Sequence, residues 1–301
     1  MADGRWHFQH GPIDCIVSAE GESGAAADCI EQAWQRFRGV LDELVAELPL
    51  LRIDLASASG ARVEPQGPIA KRMVEACRAH VQEGRFITAM AAVAGSVAEE
   101  LIAFFDDPRI RRAYVNDGGD IALHLAPGAS FDVGLFADPA RGLAGLPLDG
   151  RFSIAAHSSV RGIATSGWRG RSFSLGIADA VTVLAKSASQ ADAAATVIGN
   201  AVDVDDARVV RRRADEVRDD SDLGHRLVTC EVPMLPAALV ERALANGEAR
   251  ARREIESARI VAALLCLQGR ARACGAAAGL EDRNGDLSAE ERKIDICTST
   301  D

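Results

Sequence analysis

The chain has 301 residues, enough to bury a full core as one large domain or two smaller ones. Its 48% hydrophobic and 26% charged residues match an ordinary globular protein folding in water. A formal net charge of −10 excludes a broad basic nucleic-acid surface, and 4% aromatics with one tyrosine, Tyr114, exclude an aromatic platform for stacking bases.

Residues 5–19 read as two short strands around the Gly11-Pro12 turn. Ile30, Trp34, Phe37, Leu41, Leu44, Val45 and Leu48 recur at three- and four-residue steps and predict one long amphipathic helix from Ala25 to Leu48, which Pro49 helps end. A second helix is expected from Ile69 to His80, with Pro68 at its start. Ala89 to Phe105 opens on small residues, which suit close helix packing or a ligand meeting backbone, and continues as an amphipathic helix. Ala113 to Leu125 reads as strand, Gly118-Gly119 turn, strand. The paired glycines also let backbone N–H groups approach a phosphate, although the spacing matches neither a dinucleotide-binding fingerprint nor a P-loop.

Strands are expected at Phe131 to Phe136 and Arg151 to Ala156, and a further one ends in the Thr165-Ser166-Gly167 turn, rich in donors for anionic oxygens. Asp179 stands in an Ala-Asp-Ala unit before the strand Val181 to Ala185. Arg211, Arg212 and Arg213, followed by acids, read as a solvated loop or helix face. Arg226 to Val232 reads as a strand, Leu235 to Gln268 as a long C-terminal helix, and 269–301 as a loose polar tail. Residues 1–268 are read as a single domain, with two intertwined subdomains as the alternative. The run Asp282 to Glu290 begins like a calcium loop, yet Leu287 replaces its glycine and Lys293 its glutamate. Cysteines at 15, 29, 77, 230, 266, 274 and 297 are odd in number and lack a Cys-x-x-Cys, which fits neither a disulfide framework nor a zinc knuckle. Without a signal-like start or a membrane-length apolar run, the chain reads as cytoplasmic, with no membrane partner.

The most informative stretch is Ser187 to Asn200. Asp192 and Thr196 stand four apart, on one helix face, one turn from each other. A carboxylate and a hydroxyl so placed suit a hard cation such as Mg²⁺; equally, an N-terminal acid complements the helix dipole and a threonine bonds back to its helix.

Taken in order, Ala94-Gly95-Ser96, Asn116-Asp117-Gly118-Gly119-Asp120-Ile121, Ala164-Thr165-Ser166-Gly167 and Ala191 to Thr196 resemble the ApbE-like superfamily, whose best-known members are FAD:protein FMN transferases. Gly11 to Asp14, Met90 to Gly95 and Arg171 to Asp179 bring the chain closest to a branch of uncharacterised proteins. The resemblance covers roughly residues 5–235 and implies an α+β, T-fold-like architecture of antiparallel sheets packed with helices. It implies Asp192 and Thr196 as metal ligands, with backbone oxygens near Ala94 and Gly95 completing the shell. Gly118, Gly119 and Asp120 then line the flavin nucleotide, Thr165, Ser166 and Gly167 form the turn beside it, and Asp179 is the candidate acid or base. The implied cofactors are Mg²⁺ and FAD or a related phosphorylated ligand, for an FMN-transferase-like enzyme or, alternatively, a non-catalytic carrier. Where the transferases carry a His-x-Ile-x-Asp-Pro-type segment, Ser172 to Asp179 has neither the histidine nor the proline. The long charged helix makes a homodimer a further expectation.

Overall fold

The computed structural model describes residues 4–57, 59, 62–81, 85–134, 151–275 and 280–281. Two compact units share the chain: Met1–Ala129 with Ser159–Ala164 and Leu184–Ala194, and Ser130–Ser158 with Thr165–Val183 and Ala195–Asp301.

In the first unit, β1 (Arg5–His10) and β2 (Ile13–Gly21) form a hairpin around Gly11, whose φ of +58° suits the turn. Strand β2 pairs antiparallel with β3 (Ile110–Asp117), and β3 with β4 (Asp120–Leu125). The first residues of β7 (Gly162–Ser166) add to β4, after β5 (Ser130–Gly134) and β6 (Arg151–Ala155) of the second unit. Among the described residues this unit also holds α1 (Ser23–Phe37), α2 (Val40–Ala46), α3 (Leu48–Leu51), α4 (Pro68–Arg78) and α5 (Val93–Ile102), the last entered through a 3₁₀ turn at Ala89–Ala92. The single helix expected over 25–48 is instead α1 and α2, and Leu48 opens α3, with Pro49 in its first turn rather than at a helix end. Of the apolar positions in the expected period, Ile30, Phe37 and Leu44 are buried, Trp34, Leu41 and Leu48 half-buried and Val45 exposed, because the break at Gly39 resets the helical phase at low conformational cost. Phe8, Trp34 and Phe37 close one end of this core, with ring centroids 5.1–5.7 Å apart.

In the second unit, β5, β6 and β13 (Leu280–Glu281) form an antiparallel sheet. Strand β8 (Ala180–Ala185) lies beside β11 (Ala262–Leu267), which pairs with β12 (Arg270–Cys274). The chain passes between units within β7, β8 and α6 (Ala188–Ala201). Residues 211–213, expected in a solvated loop or helix face, lie in β9 (Val210–Arg213), which leads into α7 (Ala214–Val217) and pairs with β10 (Leu227–Glu231). Consecutive side chains of this strand point to opposite faces: Arg212 and Arg213 stay exposed, while Arg211 is partly buried and paired with Asp203.

The long C-terminal helix is α8 (Ala237–Glu256), twelve residues shorter at its end than the pattern suggested. Ala258 takes φ +53° and breaks the helix, and 262–267 becomes the buried strand β11. A short continuous apolar run is compatible with either element; the Gln268-Gly269 turn, with φ +48° and +76°, makes it a hairpin and carries order past residue 268 into β12. The buried acid Glu254 of α8 is paired with Arg250 at 2.7 Å and Arg259 at 2.5 Å. The α+β class and the antiparallel pairing agree with the sequence reading. The calcium-like run at 282–293 and Cys297 lie outside the described residues. Among the described residues no helix is long and apolar enough to cross a membrane.

Candidate functional site

In the first unit, β3 and β4 are joined by Gly118 and Gly119, with φ +65° and +111°, conformations that disfavour any side chain. The Asn116 side-chain oxygen accepts the Gly119 N–H at 2.8 Å and holds this turn. Asp117 ends β3 opposite Asp120 and Cys15, and is 4% exposed. It continues the inward series Ala113, Val115, so a carboxylate occupies a core-facing position of the strand. Asp120 begins β4 and is half-buried.

Helix α5 packs on β3 and β4. Its first-turn amides lack intrahelical partners, and Asp192 of α6 supplies one: the Gly95 N–H donates to Asp192 Oδ2 at 2.9 Å, and the Ala94 amide bonds to the same carboxylate. The structure thus brings Ala94, Gly95 and Asp192 together through N–H groups. Gly95 is a packing requirement here, since a Cβ would collide with the Ala188 carbonyl. Gly162 plays the same part at Ser187 and Ala188.

The Asp192 carboxyl is raised from 3.8 to about 7 as the net of burial, which raises it most, the Gly95 and Ala94 amides, which lower it, and the charge of Asp117, which raises it. The Cys77 thiol is held well above its ordinary value, by burial first and then by Asp192. Between Ala191 and Gly199, helix α6 is buried at every position except Asp192 and Thr196, which are half-buried. The helical spacing that singled these two out therefore coincides with the one line along which that stretch of helix remains accessible.

The remaining candidates lie in the second unit. Thr165 Oγ1 meets Thr182 Oγ1 at 3.0 Å. Gly167 lies so close to Asp179 that a Cβ would strike its carbonyl, and Ser166 approaches Gly199. Asp179 is fully engaged: Trp168 Nε1–H donates to one oxygen at 3.2 Å, the Gln268 N–H to the other at 2.5 Å, and Arg169 lies 3.6 Å away. It ties the Thr-Ser-Gly turn to the β11–β12 hairpin.

The donor chemistry fits a divalent cation at Asp192. Its carboxylate is a hard oxygen ligand, and the neighbouring charge that acts on it is another carboxylate, so a cation there would balance two negative groups in a poorly solvated place. Among the described residues no cluster of three histidine, cysteine or acidic side chains forms a metal cage, so any further ligands would be hydroxyl, backbone, water or phosphate oxygens. The sequence reading names Asp117 only within the motif that carries the resemblance and passes over Glu99 and Ser189, whose contact joins α5 to α6. The period-2 alternation of β3 marked Asp117 as inward; nothing local marked the other two.

The family model described as AbpE bacteria matches residues 1–273. The UPF0280 protein MK0206 of Methanopyrus kandleri is 34% identical over 207 residues, 68% of this chain and 77% of its own. A UPF0280 protein of Methanococcus vannielii is 42% identical over 129 residues, which span 40% of this chain and 48% of that one. Among solved structures, the Pseudomonas stutzeri flavinyl transferase ApbE in its apo form aligns at 13% identity with a TM-score of 0.41, over 90% of this chain and 93% of that one.

Proposed function

This chain belongs to the AbpE bacteria family, and we propose that it is a Mg²⁺-dependent flavin-nucleotide-binding protein with FMN-transferase-like chemistry. The observation that carries this reading is the Asp192 carboxylate, half-buried on an otherwise buried stretch of helix, within the field of the Asp117 charge and one turn from the half-buried Thr196. Asp192 and Thr196 hold the cation in this reading; the backbone oxygens of Ala94 and Gly95, expected to complete the shell, point along α5 away from Asp192, so these residues orient the carboxylate through their N–H groups instead. When bound, Mg²⁺ supplies neutralisation of pyrophosphate charge, so that a phosphorus centre becomes open to a hydroxyl.

The chain's own residues bind and orient. The exposed Gly118 offers backbone without a side chain to the ligand in this reading, with the buried Gly119 holding the turn through Asn116 and Asp120 beside it. Thr165, Ser166 and Gly167 present hydroxyl and amide donors for anionic oxygens. Asp179 positions the Trp168 indole and the 267–269 turn; as an acid or base it must first release one of these donors. That engagement favours the second reading, a carrier that holds an intact flavin without turnover. A cytosolic location and a homodimer belong to the same proposal.

The test is a titration of the protein with FAD, with and without Mg²⁺, followed by flavin fluorescence and AMP release. Mg²⁺-dependent binding with AMP release is expected, and Asp192→Ala abolishes the Mg²⁺ dependence. Binding without AMP establishes the carrier. An Asp192→Ala variant that binds FAD with unchanged Mg²⁺ dependence overturns the metal assignment.

A further inference from the structure

Helices α5 and α6 satisfy each other's N-termini. Asp192 of α6 accepts the Gly95 N–H of α5 at 2.9 Å. In return Glu99 of α5 accepts the Ser189 N–H at 3.0 Å and the Ser189 hydroxyl at 2.7 Å, both through Oε2. Each acid thereby supplies an acceptor to first-turn amides that have none within their own helix. Gly95 and Glu99 stand one turn apart on α5, and Ser189 and Asp192 one turn apart on α6, so the two contacts form a two-point clamp.

Glu99 is itself held. Arg72 of α4 places Nε 3.2 Å from Glu99 Oε1 and Nη1 3.0 Å from Glu100 Oε2, and its Nη1 also donates to the Ser96 carbonyl at 3.4 Å. Glu100 is bound in turn by Arg36 of α1 at 2.8 Å. The first turn of α6 is thus fastened through Glu99 to three helices of the first unit. Ser189 Oγ also meets Ser187 Oγ at 3.1 Å, a contact within the same segment, so Glu99 is what ties Ser189 to a neighbouring helix and with it the rotation of α6 that carries Asp192.

We propose that Glu99, anchored by Arg72, is the positioning residue for the Asp192 cation site: it sets the rotation of α6 through Ser189 and so aims the Asp192 carboxylate. The inference rests on Asp192 holding the cation, as proposed above. Partners that orient a metal ligand are worth about 10–100-fold in affinity elsewhere. Glutamine in place of Glu99 keeps an acceptor for both Ser189 donors, whereas alanine keeps none.

The experiment measures binding of Mn²⁺, alone and in the presence of FAD, by the loss of the free-ion paramagnetic resonance signal. Wild type, Glu99→Ala, Glu99→Gln, Ser189→Ala and Asp192→Ala are compared, each with its urea midpoint. Asp192→Ala loses binding, Glu99→Ala weakens it by about tenfold or more, and Glu99→Gln restores it to within about threefold, by the same reasoning. Ser189→Ala, which leaves the N–H contact in place, falls between. A general loss of stability does not reproduce this order, because Glu99→Gln forfeits the Arg72 ion pair and still binds. Should Glu99→Ala fail to fold, the Glu99→Gln and Ser189→Ala pair decides alone. Wild-type affinity in Glu99→Ala and Ser189→Ala, with binding lost in Asp192→Ala, overturns the positioning role and leaves the metal assignment standing. Wild-type affinity in Asp192→Ala overturns both.

Discussion

Asp192→Asn separates the ionisation of this carboxyl from its hydrogen bonding. Asparagine keeps an oxygen acceptor for the Gly95 N–H while removing the charge. Wild-type Asp192 ionises at 3.8 in an unfolded chain and at about 7 in the fold, because burial and the charge of Asp117 resist the ionised form. A raised carboxyl contributes nothing adverse below its unfolded value, where both states are protonated. It destabilises the fold increasingly as the pH climbs from there to the folded value. At about 1.4 kcal/mol per pKa unit, the metal-free fold is disfavoured by about 2 kcal/mol at pH 5 and by about 4 kcal/mol at pH 8. The stability of wild type minus that of Asp192→Asn is therefore expected to fall by about 2 kcal/mol between pH 5 and pH 8 in urea unfolding with EDTA present. Added Mg²⁺ at pH 8 closes the gap in wild type alone, since a cation bound only by the fold stabilises by mass action. Parallel pH dependences for the two proteins refute the reasoning, for they would mean that Asp192 ionises in the fold much as it does in the unfolded chain.

Two further outcomes follow from the packing. Gly95→Ala sets a methyl group against the Ala188 carbonyl, so α5 and α6 must part; a loss of about 2 kcal/mol or more in urea unfolding is expected, with weakened Mn²⁺ binding. Unchanged stability would show that the close approach of these helices is not required. Glu254→Ala leaves Arg250, 1% exposed, without its carboxylate, and a loss of about 3–5 kcal/mol is expected. The double variant Glu254→Ala, Arg250→Met should recover part of it, as measured by the same unfolding curves; no recovery would mean that packing, not charge, dominates there.

Much of the fold was legible locally. The alternation of β2 and β3, the Gly118-Gly119 turn and the Pro68 start of α4 all follow from period, turn chemistry and first-turn preference, which act over a few residues. Where the reading strayed, a local signal was ambiguous. The apolar run at 262–267 suits helix or strand alike, and only pairing with β12 decided it. The amphipathic period through 25–48 continued across Gly39, although the backbone did not. Residues 211–213 lacked an apolar phase, and pairing with β10 made them a strand.

The candidate site divides along the same line. By itself the sequence determined that Asp192 and Thr196 share a helix face, since that requires only 3.6 residues per turn. It likewise determined that two glycines open the β3–β4 turn, since that requires only backbone freedom. Tertiary structure alone decided that Asp192 meets the Ala94 and Gly95 amides, that burial and then Asp117 raise its pKa, and that Glu99 fastens Ser189 across 90 residues of sequence. It also decided that both oxygens of Asp179 are taken. Hydrogen bonds and charge–charge contacts of this kind depend on distance in space, and no periodicity within one element encodes which carboxylate a distant helix end will find.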